Sequence, residues 1–217
     1  MGDVDWRYVA LMLAAIVPSI ILHEVSHGVV ALWFGDDTAR KAGRLTLNPL
    51  KHVDPFGTVL MPAMLALSGL GTFGYAKPVP VNVRRLRNPR QHSLYVSLVG
   101  PLTNILIMLV AVVAFRLARP DVILLDEHGL PLGSGIVRFA FALGFLNTVL
   151  AVFNLLPIPP LDGSAFIERV LPHQWWPTWL RFRQYGFIVI LLLIFVVPGA
   201  LDFVFEPAIE LWADLLV

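Results

Sequence analysis

The sequence predicts an all-α polytopic membrane protein, and three observations carry that expectation. Charged residues make up only 14% of the 217, where a soluble domain of this size carries roughly a quarter. Apolar runs near twenty residues recur along the chain, long enough to cross a hydrocarbon layer as helices. Basic and acidic side chains also segregate into alternate connecting segments, as the loops of multi-pass proteins do. The same composition excludes other classes. A net charge of +1 gives no global case for nucleic-acid binding. With no cysteine, disulfides and thiolate metal ligands are ruled out, so any zinc must be held by His and carboxylate.

Taken in order, the first run extends from about Trp6 to Phe34. Its flank, Met1 to Arg7, lacks a basic start and a small-residue cleavage site, and is read as leading into a retained helix. Pro18 is expected to bend that helix one turn before His23. The next stretch, Gly35 to Pro55, is polar and basic, and its alternating run Gly43 to Asn48 predicts a small strand on the cytoplasmic side. Phe56 to Phe73 is apolar but interrupted by Pro62, Gly69 and Gly71. Its flanks are positive on both sides, which predicts a re-entrant or short hairpin segment in place of one crossing. Leu94 to Leu117 crosses. Arg119 to Gly135, with Asp121, Asp126 and Glu127, suits the outer face. Ile136 to Leu156 crosses back, and Trp175, Trp176 and Trp179 beside Arg169, Arg181 and Arg183 mark an inner interface. Tyr185 to Gly199 crosses outward, leaving an acidic tail on the outer surface. The expectation is about four full spans plus the re-entrant element, both termini outside, in one domain covering 1–217.

The chemistry concentrates in the first span, at His23-Glu24-Val25-Ser26-His27. Residues four apart on a helix share a face, so His23 and His27 can offer two imidazole nitrogens to one metal ion. Glu24 beside them is placed to handle the proton of a metal-activated water. By helix rise His23 lies roughly 16 Å from the Phe34 end, well inside the hydrocarbon. Ionisable groups there cost several kcal/mol and are rarely kept without a role. Two histidines leave a hydrolytic zinc site one protein ligand short. Asp162, which follows Pro157, Pro159 and Pro160, is either that ligand or the N-cap of a short helix starting near Gly163.

The first motif, Gly100-Pro101-Leu-Thr-Asn104, and Asn154-Leu-Leu-Pro157-Ile-Pro-Pro-Leu-Asp162-Gly163 together resemble the site-2 protease family of intramembrane zinc proteases. The resemblance runs from about Pro18 to Ser164. Asn48 to Thr58 and Lys77 to Asn82 are similar to its compact bacterial branch, without PDZ or CBS modules. It implies one Zn²⁺ per chain, held by His23, His27 and Asp162, with Glu24 as the catalytic base. It implies cleavage of membrane-embedded or juxtamembrane peptide segments in a multi-pass protein of a bacterial-type plasma membrane, the site opening to the cytoplasm. Stabilising the oxyanion calls for an amide donor besides the metal. Asn104 and Asn154 are the candidates, with interhelical hydrogen bonding as the alternative for each and substrate positioning as a further one for Asn154.

Other residues rank lower. His52 and Asp54 either reach the site from the loop or pin that loop at the interface. His92 reads as an interface anchor, and His128 and His173 have no partner at ligand spacing. Ser26 lacks a His/Asp relay. Arg84, Arg85, Arg87 and Arg90 read as a topology signal and a lipid headgroup contact. Partners are therefore a transmembrane substrate and the bilayer, with no nucleic acid. Two competing classes are a non-catalytic helix-binding protein, in which Glu24 would be dispensable, and a metal or ion transporter, which normally shows several polar sites or paired broken helices.

Overall fold

Inside hydrocarbon every backbone group must find its partner within the chain, so apolar runs of this kind cross as helices. The computed structural model describes residues 5–54, 60, 64, 77–118, 124–197 and 199–217. Three of its helices are long and apolar enough to span: α1 (Trp6–Trp33), α3 (Pro89–Ala118) and α4 (Gly135–Leu155). Between the first two lies a single turn, α2 (Thr38–Lys41). Four shorter helices follow, α5 (Ser164–Val170), α6 (Trp176–Arg183), α7 (Gly186–Phe195) and α8 (Asp202–Asp214). Asp5 caps α1 by accepting from the N–H groups of Arg7 and Tyr8 at 2.9 and 3.2 Å, which satisfies two orphan donors of the first turn.

The spanning helices are built inside out relative to a soluble bundle. Large apolar residues such as Leu102, Leu106, Val110 and Leu117 face outward, where lipid surrounds them. Facing inward are small or polar residues: Ala15, Ser19, Gly28 and Ala31 of α1, Gly100, Asn104 and Ala111 of α3, and Ala140, Gly144, Asn147 and Ala151 of α4. Small side chains let membrane helices approach closely, and polar ones bond across the seam. Helix α3 packs most extensively on α4, and both pack on α1.

Helix α8 extends this core. Its Asp202, Glu206, Glu210 and Asp214 recur every four residues and are all exposed. The opposite face brings Trp212 and Leu216 against Val112, Phe115, Val137 and Ala140. The acidic tail expected on the outer surface is thus an amphipathic helix docked on the bundle by its apolar side.

Two expectations differ from what is observed. Gly43–Asn48 is irregular, and the described residues contain no sheet. The alternation there reflects anchoring: Arg44 turns inward and donates to the carbonyls of Lys77 and Pro78 at 2.5 and 3.3 Å. The segment it meets, Lys77-Pro-Val-Pro-Val-Asn82, is extended, but Pro78 and Pro80 have no N–H with which to build a ladder. The fourth span is shorter than expected among the described residues, since α7 has 10 residues and reaches about 15 Å as a helix. The proposed re-entrant segment, Phe56 to Phe73, lies outside the described residues apart from Leu60 and Met64.

Phe115 is fully buried where α3, α4 and α8 meet, 6.0 Å from the Phe141 ring centre. Phe115→Ala is expected to open a cavity there and lower stability by about 3 kcal/mol. Thermal unfolding of the detergent-solubilised protein measures it.

Candidate metal centre

His23 and His27 lie one turn apart on the buried face of α1, with ring centres 4.8 Å apart. Each ring is fixed by its Nδ1. His27 Nδ1 lies 2.6 Å from the carbonyl of Val96, which can only accept, so this nitrogen donates and Nε2 is the one left to face a metal. His23 Nδ1 lies 2.6 Å from Asn104 Oδ1, with the same consequence.

The third group arrives from the far end of α4. The helix stops at Leu155, where Pro157, Pro159 and Pro160 cannot continue it. The loop then doubles back, and the N–H of Gly163 donates to the Asn154 carbonyl at 2.7 Å. A Cβ at Gly163 would fall against the carbonyls of Leu155 and Leu156, so the close return requires glycine. The N-cap of α5 is Gly163, with no side-chain capping bond. Asp162 instead sends Oδ2 to within 3.1 Å of His23 Nε2 and 3.3 Å of His27 Nε2.

This donor set fits a divalent metal. Asp162 Oδ2 is buried and faces the two imidazole Nε2 atoms, an arrangement that one shared cation would satisfy. One ligand atom from each of His23, His27 and Asp162 lies within 4.8 Å of the others. Ligand bonds of about 2.05 Å in a tetrahedral zinc site imply edges of about 3.3 Å, which the two observed separations match. Three protein ligands also leave a fourth position for a reacting water.

Glu24 stands beside the group without joining it. Its Oε2 accepts from the N–H of Val79 at 2.8 Å, and the carboxylate is half-buried. The Val79 segment is held at both ends, by Arg44 and by Asp36, whose Oδ2 accepts from the N–H of Asn82 at 2.6 Å. Asp36 also accepts from the backbone and hydroxyl of Thr38.

The two amides are both engaged within the bundle. Asn104 is fully buried, with Oδ1 toward His23 and its nitrogen donating to Asn147 Oδ1 at 2.8 Å. Asn154 donates to the Leu150 carbonyl of its own helix at 2.9 Å. His52 Nε2 bonds the Thr46 carbonyl at 2.9 Å, which holds the loop. His92 stacks on Phe34 at 3.9 Å. His128 stacks on Tyr8 at 4.4 Å and lies 3.4 Å from Asp5, tying the 124–134 segment to the start of α1. Ser26 donates to the His23 carbonyl at 2.6 Å. Arg85 pairs with Asp37 at 3.0 Å, and Arg90 donates to the Arg169 carbonyl at 2.9 Å. The side chain of His173 lies outside the described residues. Sequence reasoning missed Val79, Val96, Ser19 and Asn147. The first two act through backbone groups, which carry no residue-type signal. The other two were legible only as polar residues inside apolar runs.

Apolar spanning helices that converge two histidines and an aspartate next to a glutamate define an intramembrane zinc metalloprotease. The comparisons with known proteins agree. The model of the family described as "Peptidase family M50" matches residues 122–197. The chain is 41% identical over 191 residues to "Putative zinc metalloprotease YwhC" of Bacillus subtilis, covering 86% of this chain and 80% of that protein. It is 35% identical over 197 residues to "Putative zinc metalloprotease Rip2" of Mycolicibacterium smegmatis, covering 90% of this chain and 70% of that one. The Rip2 of Mycobacterium tuberculosis H37Rv is 33% identical over 189 residues, covering 87% and 67%. No solved structure matches. The chain belongs to peptidase family M50. It is a multi-pass membrane enzyme, and zinc is its metal.

Gly100 places α3 against both histidines. A Cβ there would lie 2.6 Å from His23 Nε2 and closer still to His27 Nε2, in the space a metal needs. Gly100→Ala is therefore expected to abolish stoichiometric zinc binding, measured by metal analysis of the purified protein.

Proposed function

We propose that the chain hydrolyses peptide bonds within or next to transmembrane segments of other membrane proteins, as a step of regulated intramembrane proteolysis. The observation that carries this reading is the convergence of His23 Nε2, His27 Nε2 and Asp162 Oδ2 beside Glu24. Those three residues are the zinc ligands and Glu24 is the base. Zinc bound there lowers the pKa of its water toward neutrality and polarises the substrate carbonyl.

The remaining work falls to the protein's own groups. Glu24 Oε2 is engaged by Val79, which leaves Oε1 to take the proton of the attacking water. Glu24 then delivers that proton to the leaving amine nitrogen, completing one general-base and one general-acid step. Asn104 acts as a positioning residue, because its carbonyl oxygen keeps the proton of His23 on Nδ1. Asn154 supports the Asp162 loop, since its backbone oxygen receives Gly163. A substrate helix must unwind locally to expose its carbonyl to the attacking water.

The finer architecture belongs to the same proposal. The chain forms one domain over 1–217, and α7 with the residues after it makes a fourth crossing. Both termini lie outside, and the site opens to the cytoplasmic side of a bacterial-type plasma membrane. The basic residues Arg84, Arg85, Arg87 and Arg90 near the Val79 segment support that orientation.

Zinc content paired with cleavage of a reconstituted single-span substrate tests these roles. Glu24→Gln is expected to keep its zinc and lose at least about 100-fold in cleavage rate, while Asp162→Ala loses both. A Glu24→Gln protein that still cuts at the wild-type rate would remove Glu24 as the base.

A further inference from the structure

A buried polar chain leads away from the metal group, and none of it touches the reacting atoms. Asn104 Nδ2 donates to Asn147 Oδ1 at 2.8 Å, and Asn147 Nδ2 donates to Ser19 Oγ at 2.8 Å. Ser19 Oγ donates in turn to the Ala15 carbonyl at 2.7 Å. The chain links α3 to α4 and α4 back to α1, where Ser19 lies one turn before His23. Asn104, Asn147 and Ser19 are each at most 1% exposed, so water cannot substitute for any of these bonds.

The direction of every bond is forced from the far end. Asn147 Nδ2 also lies 2.8 Å from the Leu143 carbonyl, which can only accept, so the nitrogen of this amide must face it. Asn147 Oδ1 must then face Asn104, and Asn104 must present its nitrogen to it. That leaves Asn104 Oδ1 against His23, so His23 Nδ1 donates and Nε2 is the ring nitrogen left for a metal. The Ala15 carbonyl fixes the Ser19 hydroxyl in the same sense. His27 needs no such chain, because Val96 supplies a backbone carbonyl directly.

We propose that Asn147 is a positioning residue for the zinc site: anchored on the Leu143 carbonyl, it sets the orientation of Asn104 and through it the tautomer of His23. Ser19 reinforces the anchor. The inference rests on the zinc reading above.

Zinc affinity of the full chain in detergent, measured by chelator competition, tests it. Asn147→Leu is expected to weaken zinc about 10- to 100-fold and to alter the visible absorption of the Co²⁺-loaded protein. Ser19→Ala should cost less than about threefold, since the Leu143 carbonyl still orients the amide. Because Asn147 acts through Asn104, the double variant Asn104→Ala/Asn147→Leu should bind zinc as Asn104→Ala alone does. Asn147→Asp keeps the volume and the acceptor but loses both donations, and it runs through the same cycle if the leucine variant does not fold. Affinity unchanged in Asn147→Leu or Asn147→Asp, or losses that multiply in the double variant, overturn the proposal. A wild type that binds no zinc would instead overturn the metal reading itself.

Discussion

His23 Nε2, His27 Nε2 and Asp162 Oδ2 converge within 4.8 Å of one another among the spanning helices. Burying a carboxylate beside two imidazoles is costly unless positive charge sits among them. A metal cation supplies that charge. The surrounding fold can be understood as what it takes to keep these three atoms together before the cation arrives. Helix α1 supplies two of them by its own periodicity. The third must be brought from the end of α4 by a loop that prolines release from the helix and that a bond from Gly163 to Asn154 folds back.

Holding such a cluster inside a bilayer changes which residues do the packing. Apolar side chains gain little by leaving lipid for protein, so the seams between α1, α3 and α4 are made from small residues and hydrogen bonds. Gly100 is the extreme case, because its missing Cβ is the space between the two histidines. The large residues that would form the core of a soluble protein face outward instead. One apolar core, around Phe115, Val137 and Trp212, lies with α8. Smaller apolar clusters flank the metal group itself, one including Val96, whose carbonyl holds His27, and one including Leu156 and Leu161 on the loop that carries Asp162.

The spans were legible because the physics behind them is additive along the chain: twenty apolar residues read the same whatever they pack against. Helix α1 was expected over Trp6 to Phe34 and is found over Trp6–Trp33. The pairing of His23 with His27 was legible for a similar reason, since it depends only on helical spacing. Asp162 was legible as a ligand only through the family resemblance, because a capping carboxylate and a ligand have the same local sequence. Only the tertiary approach of α1 distinguishes them. The loop 35–54 was misread for a related reason. An alternating pattern predicts a strand only if a partner edge with free N–H groups exists. Here the neighbouring segment carries Pro78 and Pro80, and Arg44 satisfies its carbonyls instead.

The site divides its chemistry between two kinds of support. The metal ligands are oriented wholly from within the bundle, by Val96, Asn104 and the folded-back end of α4. The Glu24 carboxylate is oriented from outside it, accepting from the N–H of Val79 in the segment connecting α1 to α3. That segment is fixed at its two ends by Asp36 and Arg44 and offers a single N–H between two prolines. A buried metal site tolerates little movement, because a ligand displaced by an ångström is a ligand lost. The Glu24 carboxylate, on the same helix as the two histidines, is held by the connecting segment instead, so the donor set and its acidic neighbour have separate supports.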